Sequence, residues 1–317
     1  MVSGLSVLFR KEFSDALRSR RFWVVVGIFL ALYVTQVYFV YQNFRLLQTS
    51  TGVRLFLSIG QGIAEAVQLA APLLGVALGF AAVSGERERG TLRLILARPV
   101  YRDTVVTSKM LAALAVTAFS MTAASLLAVA TAAFLGVGME AGDVLRLLVF
   151  TLLAVLYTMA YYSISLFISV LSRRSSHSLL LSLGVWAFFT IVLPIVATLV
   201  AYAVIGPPPL PANATALNVT QIGEAYANWT AKAISISFSM QFFSPNQRFS
   251  DIVNPIFGTR FTVRTEEGGR VTIGYEFGEF NPLEELARQW TGIAVLLLYP
   301  AVFLTASYMA FVARQEK

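Results

Sequence analysis

Apolar residues fall in long blocks along this chain, separated by short charged segments. The first block, Phe22 to Tyr41, follows a mixed stretch in which Leu5, Leu8, Phe9, Phe13, Ala16 and Leu17 recur at helical spacing, while Arg10, Lys11, Glu12, Asp15 and Arg18 fill much of the other side. That pattern predicts an amphipathic helix over residues 1–21, lying in a membrane interface. Further blocks run from Ile63 to Val83, within Val105 to Leu135, from Leu145 to Leu171, from Leu179 to Ile205 and from Thr291 to Val312. Each reaches the roughly 20 apolar residues needed to cross about 30 Å of hydrocarbon. The block from Val105 to Leu135 is longer than a span needs, so its helix is expected to tilt or project. Pro194 and Pro300 fall inside the fifth and sixth blocks and predict kinks. Backbone groups in lipid must be satisfied internally, which leaves only helices or closed barrels. The blocks lack the strict alternation of barrel strands. The predicted fold is therefore an all-α polytopic membrane protein, a bundle of six transmembrane helices behind an N-terminal interfacial helix.

Between the fifth and sixth blocks lies a more polar region, 206–290. It opens on a stiff Pro207-Pro208-Pro209 run and holds three Asn-x-Ser/Thr sequons, at Asn213, Asn218 and Asn228, which are candidate glycosylation sites. Residues 222–242 read as an outer or re-entrant helix. Branched and aromatic residues at Thr262–Thr265 and Arg270–Phe277 flank Glu266-Glu267-Gly268-Gly269 and predict a small β-hairpin. The chain thus divides into an interfacial helix, 1–21; spans one to five, 22–205, with a charged segment at 84–103; the region 206–290; and the sixth span with its tail, 291–317.

Basic residues in short loops set the orientation. With the N-terminus in the cytoplasm, the short cytoplasmic segments hold fourteen: Arg10, Lys11, Arg18, Arg20, Arg21, Arg87, Arg89, Arg93, Arg98, Arg102, Arg173, Arg174, Arg314 and Lys317. The short outer loops, 42–62 and 136–143, hold Arg45 and Arg54. Both termini are expected in the cytoplasm of a multi-pass cell-membrane protein, with 206–290 outside. The same asymmetry explains the net charge of +7 as membrane topology, so no nucleic-acid partner is expected.

Composition agrees. Of 317 residues, 57% are hydrophobic and 13% charged, about half the charge of an ordinary soluble domain; mean hydropathy is +0.70. The absence of cysteine excludes disulfides and thiolate chemistry, and the single histidine, His177, excludes a multi-histidine metal centre. No catalytic, cofactor-binding or metal-binding residue is assigned. There is no Gly-x-x-x-x-Gly-Lys-Ser/Thr phosphate loop. Within the spans, Gln68, Tyr157 and Tyr161 are candidates to line a pathway, with bundle packing as the competing reading for the tyrosines. Thr117, Ser120, Thr122 and Ser125 read as close helix packing.

The most informative segment is Gly85-Glu86-Arg87-Glu88-Arg89-Gly90-Thr91-Leu92-Arg93-Leu94-Ile95-Leu96-Ala97-Arg98-Pro99. Leu92, Ile95 and Leu96 share one helical side, Arg89 and Arg93 another, and Pro99 ends the run. The segment admits two readings: an ordinary positive-inside loop, or a short amphipathic helix that docks on a soluble partner through Glu86, Arg87, Glu88, Arg89, Gly90, Thr91, Leu92, Arg93 and Leu96.

The sequence resembles the permease subunits of class-two ATP-binding-cassette exporters, nearest the branch that includes the membrane subunit of nitrous-oxide reductase maturation. Arg10-Lys11-Glu12-Phe13 with Arg20-Arg21-Phe22-Trp23, the Glu-Arg-Glu-Arg-Gly-Thr run before span three, and the six-span order carry the resemblance. It implies that Glu86–Pro99 is a coupling helix seated on a separate ATPase, flanked by Leu5–Arg20. It also implies that ATP and Mg are bound by that ATPase, and that a second permease chain, identical or homologous, completes the pathway. The expected function is ATP-driven export of an amphipathic substrate across the cytoplasmic membrane, with membrane lipids as further partners. A non-transporting anchor or scaffold for a surface partner is the alternative.

Overall fold

The computed structural model describes residues 4–47, 54–91, 102–208, 219–265 and 271–313. An amphipathic helix, α1 (Gly4–Arg18), leads into α2 (Arg20–Leu47), α3 (Leu55–Gly79) and a short α4 (Ser84–Glu88). Next come α5 (Arg102–Phe134) and α6 (Ala141–Leu171). The fifth long helix is α7 (Ser175–Ala187), a π-helical turn (Phe188–Val192) and α8 (Leu193–Ile205). Two helices follow, α9 (Val219–Met240) and α10 (Pro245–Ile256), then strands β1 (Thr259–Thr265) and β2 (Val271–Phe277), α11 (Pro282–Arg288) and α12 (Trp290–Ala313).

Among the described residues, six helical stretches are long and apolar enough to cross a membrane: Phe22–Phe44, Leu55–Glu88, Asp103–Phe134, Ala141–Leu171, Ser175–Ile205 and Trp290–Ala313. The expected six-span bundle is what the chain forms. α6 is its centre and packs against α3, α5 and α12. The fifth span is the outlier, with most of its surface facing outward.

Close packing at the centre depends on glycine. A Cβ on Gly75 would lie 2.6 Å from the Thr158 carbonyl oxygen and 2.9 Å from the Tyr162 nitrogen; one on Gly79 would lie 2.7 Å from Ser165 Cβ. Two glycines one turn apart on α3 thus bring its backbone onto that of α6. Without a hydrophobic drive between helices in lipid, such close van der Waals contact is a main source of association. The predicted kink at Pro194 takes a specific form. Proline has no N–H to donate, and the N–H of the residue before it, Leu193, reaches back five residues to the Phe188 carbonyl, opening a π turn.

The hairpin lies where its pattern places it. β1 and β2 pair antiparallel, with Thr259 opposite Phe277 and Thr265 opposite Val271. The connecting residues 266–270 lie outside the described residues. The helix expected at 222–242 is α9, and it turns back along the fifth span. Tyr202 and Trp229 stack at 5.1 Å, Trp229 Nε1 donates to the Gly206 carbonyl at 2.9 Å, and Ser237 Oγ donates to the Ala197 carbonyl at 3.3 Å. α10 goes deeper still, burying Phe249, Ile252, Val253 and Ile256 against α3, α6 and α12. α10 therefore belongs to the bundle core, while α9 lies along the fifth span with most of its described residues exposed or half-buried.

At the hairpin end, Arg54, which caps α3, bridges Glu140, Asp143 and Glu279, the last at 2.6 Å. Asp143 is fully buried, accepts from the Glu140 N–H in a capping box at the start of α6, and pairs with Arg146 at 3.1 Å.

Replacing Gly75 by leucine will force α3 off α6 and lower stability by about 1–3 kcal/mol, the usual penalty of overpacking. Gly27→Leu, where a Cβ meets nothing within 4 Å, is the control. Thermal melting of the detergent-solubilised protein measures both; equal midpoints would show that the helices do not depend on this approach.

Candidate functional site

The segment singled out by its charges leaves span two at the end of the bundle where α1 lies. Ser84 roots it: the backbone N–H groups of Val83 and Ser84 donate to Ser169 Oγ on α6 at 3.1 and 3.0 Å. From there Glu86 turns inward. Its Oε1 lies 2.9 Å from Lys109 Nζ on α5 and 2.9 Å from Lys11 Nζ on α1. Lys109 also pairs with Glu12 Oε2 at 3.0 Å, and Lys11 with Glu12 Oε1 at 2.8 Å. Two carboxylates and two ammonium groups thus alternate in a closed ring joining α1, α4 and α5. Lys109 is 2% and Glu86 6% exposed at the side chain, so both ions have left water and depend on their partners.

The electrostatics follow from that closure. Burial disfavours the charge on Lys11, but the hydrogen bond and proximity to Glu12, reinforced by Glu86, outweigh it and raise its pKa above the ordinary 10.5. Burial likewise works against the Glu12 carboxylate, yet Lys109 and Lys11 hold its pKa below the ordinary 4.5. The Lys11 contribution is therefore fully present below 10.5 and lost as pH rises through its raised folded value. The Glu12 contribution is present above 4.5 and lost as pH falls through its lowered folded value. Both of these contributions are present across the neutral range.

The neighbouring residues divide between inward and outward roles. Arg87 Nη1 donates to the Val170 and Ser172 carbonyls at the end of α6, at 3.3 and 2.5 Å. Glu88 accepts from the Ser175 hydroxyl at 2.6 Å, which ties the segment to the start of α7. Arg89 Nε donates to the Gly85 carbonyl at 3.0 Å, Gly90 takes φ +72° to turn the chain, and Thr91 Oγ1 donates to the Glu86 carbonyl at 3.2 Å. Glu88, Arg89, Gly90 and Thr91 are exposed. Leu92, Arg93 and Leu96 lie outside the described residues.

The candidate pathway residues come together elsewhere. Tyr157 Oη donates to Asn246 Oδ1 and contacts the Gln68 carbonyl oxygen, both at 2.8 Å. Tyr161 Oη also donates to Asn246 Oδ1. Asn246 Nδ2 donates to Thr190 Oγ1 at 2.8 Å, inside the π turn, and Gln68 Nε2 donates to the Asn246 carbonyl at 3.1 Å. Tyr157 stacks on Phe249 at 4.4 Å. Gln68, Tyr157 and Tyr161 therefore join spans two and four to α10 in a buried polar cluster. They line neither of two cavities found beside α1. Asn246, its hub, was not singled out from sequence; the only signal was an asparagine following Ser244-Pro245, which reads as a helix start. Asn228 is half-buried in the middle of α9, while Asn213 and Asn218 lie outside the described residues. Among the described residues no group of three or more His, Cys, Asp or Glu is placed to hold a metal ion.

A six-span bundle with its charged segment between spans two and three now has a counterpart among known families. The family model described as ABC-2 family transporter protein matches residues 6–315. The chain belongs to that family. No curated protein matches it. As an ABC-2 protein it is a membrane permease of the ABC-transporter type, a family not known to carry catalytic activity of its own.

The ring is open to direct test. Lys109→Met will leave Glu12 and Glu86 facing each other with only Lys11 between them. The expected loss is about 3 kcal/mol, as for other buried pairs deprived of one partner. Hydrogen exchange in α1 should quicken, and Glu86→Met added to Lys109→Met should restore part of the loss. Unchanged exchange in the single variant would mean that the ring does not hold α1.

Proposed function

We propose that this ABC-2 protein is the permease half of an ATP-driven exporter. It pairs with a second permease chain, identical or closely homologous, and with cytoplasmic ATPase subunits that bind ATP and Mg. In this reading both termini are cytoplasmic and 206–290 is extracytoplasmic, though α10 within it is packed into the bundle core. The motif resemblance at Arg10–Phe13 and Glu86–Thr91 is what supports placing it in the branch of the nitrous-oxide reductase maturation permease. The substrate is amphipathic, moved by alternating exposure of the bundle as the ATPase cycles.

One observation carries the coupling reading. The residues from Glu88 to Thr91 leave the bundle exposed, while the root of the same segment is tied to α1 and α5 through Glu86 and to α6 and α7 through Arg87 and Glu88. A partner that moves Glu88–Leu96 therefore has a firm connection to four helices at once. Glu86 serves this as an internal anchor, and Glu88, Arg89, Leu92, Arg93 and Leu96 are the residues proposed to meet the ATPase.

Leu92→Asp with Leu96→Asp should insert normally, co-purify with markedly less ATPase in mild detergent and lose coupled transport. Single exposed charges contribute only about 0–1 kcal/mol, which makes the double apolar change the sharper one. Full ATPase binding and transport by this variant would reject the assignment. Recovery of the wild-type chain alone, with no ATPase, would favour the scaffold reading.

Orientation has its own test, made simple by the absence of cysteine from the chain. Asn218→Cys and Glu267→Cys should react with an impermeant thiol reagent in intact cells. Labelling only after lysis would invert the topology.

A further inference from the structure

Beside the ion ring lies a cavity of about 710 Å³, bounded by α1, α3, α4, α5 and the start of α7. Its walls are of two kinds. Phe22, Phe80, Ala112, Ala113 and Tyr162 are buried and give it an apolar lining. Asp15, Arg18, Glu88 and Arg89 are exposed and mark its opening to the surroundings. Glu12 and Lys109 also border it, but each is already engaged in the ring. The remaining charges at the opening are two acids and two bases. Asp15 has only a long contact with Lys11, at 3.7 Å, and Arg18 has no ion-pair partner among the described residues. Arg89 commits Nε to the Gly85 carbonyl, and Glu88 commits one oxygen to Ser175.

This arrangement selects a chemistry. Glu88 already lies in the field of Arg89 and Arg174; a purely apolar guest would make no use of Asp15 and Arg18, and a simple anion would meet carboxylates along with the guanidinium groups. A molecule with a phosphate and an ammonium group on one end and hydrocarbon on the other matches every wall. Guanidinium groups form strong, charge-assisted hydrogen bonds with phosphate oxygens. The volume lies in the range of ordinary ligand sites, about 300–1,000 Å³. The position, between an interfacial helix and the adjoining ends of spans two and three, is where a lipid headgroup meets its acyl chains.

We propose that this cavity binds a zwitterionic phospholipid. Its phosphate sits against Arg18, its ammonium against Asp15, and its acyl chain along Phe22, Ala113 and Tyr162. The proposal concerns binding at this site and does not depend on the ATPase reading.

Native mass spectrometry of the purified chain in detergent, titrated with dioctanoyl phosphatidylethanolamine and, separately, dioctanoyl phosphatidylglycerol, tests it. The expected result is a saturable adduct with the ethanolamine lipid and binding about tenfold or more weaker for the glycerol lipid, a difference of about 1.4 kcal/mol or more. Ala113→Trp should fill the apolar wall and abolish the adduct. Asp15→Ala with Arg18→Ala changes exposed side chains only, and should weaken binding about tenfold even if the tryptophan variant fails to fold. Equal binding of both lipids, no saturable adduct, or unaltered binding in the Asp15/Arg18 double variant would overturn the proposal.

Discussion

Lys109 is a buried lysine that meets two carboxylates, Glu12 at 3.0 Å and Glu86 at 2.9 Å. Its side chain has almost no contact with water, and the ideal cost of moving such an ion out of water is many kcal/mol. Glu12 and Glu86 offset that cost, and each brings its own helix. The position of α1 is thereby decided by electrostatics as much as by its apolar face, and so is the point where the chain leaves span two. A buried ion pair is weak grounds for stability and better grounds for specificity. Here the ring distinguishes one docking of α1 from the many that an amphipathic helix on a membrane surface would otherwise allow.

The opposite end obeys the same constraint with different parts. Arg54 gathers carboxylates from the turn before α6 and from the loop after β2, so the hairpin region is fastened to the caps of spans two and four. Between the two ends the bundle relies on shape: Gly75 and Gly79 let backbones meet, and the tyrosine hydroxyls of α6 find Asn246 rather than water. A polar group buried without a partner costs about 1–3 kcal/mol. The convergence of Tyr157, Tyr161 and Thr190 on the Asn246 side-chain amide, with Gln68 on its backbone carbonyl, explains how α10 can lie this deep.

The spans were legible because hydropathy over about 20 residues is a local property that survives any packing. The hairpin was legible for a similar reason, since alternation and a glycine turn are local too. The ring was not. Lys109 reads as a lysine near a span end, and Glu86 as one charge in a charged loop. Nothing in the spacing of residues 11, 12, 86 and 109 announces that they meet, because helix packing brings them together. The re-entry of α9 was left open between outer and inner positions, since a helix of mixed polarity suits either place. Asn246 was missed because an asparagine after a proline has an ordinary local explanation. Gln68, Tyr157 and Tyr161, named from sequence as candidates to line a pathway, are brought together by Asn246 of α10, a contact no local pattern announces.

The π turn in that span sets an angular phase. An α-helix advances about 100° per residue, so the residue added at Phe188–Val192 rotates everything after it relative to a regular helix. With that offset Tyr202 meets Trp229 and Ala197 meets Ser237, while Thr190 points at Asn246. The two halves of the fifth span are thus indexed separately, one to the bundle centre and one to α9. Their relative rotation is stored in five residues, and a relaxation of those five to α-helical pitch would turn Leu193–Ile205 like a key while leaving Ser175–Ala187 in place.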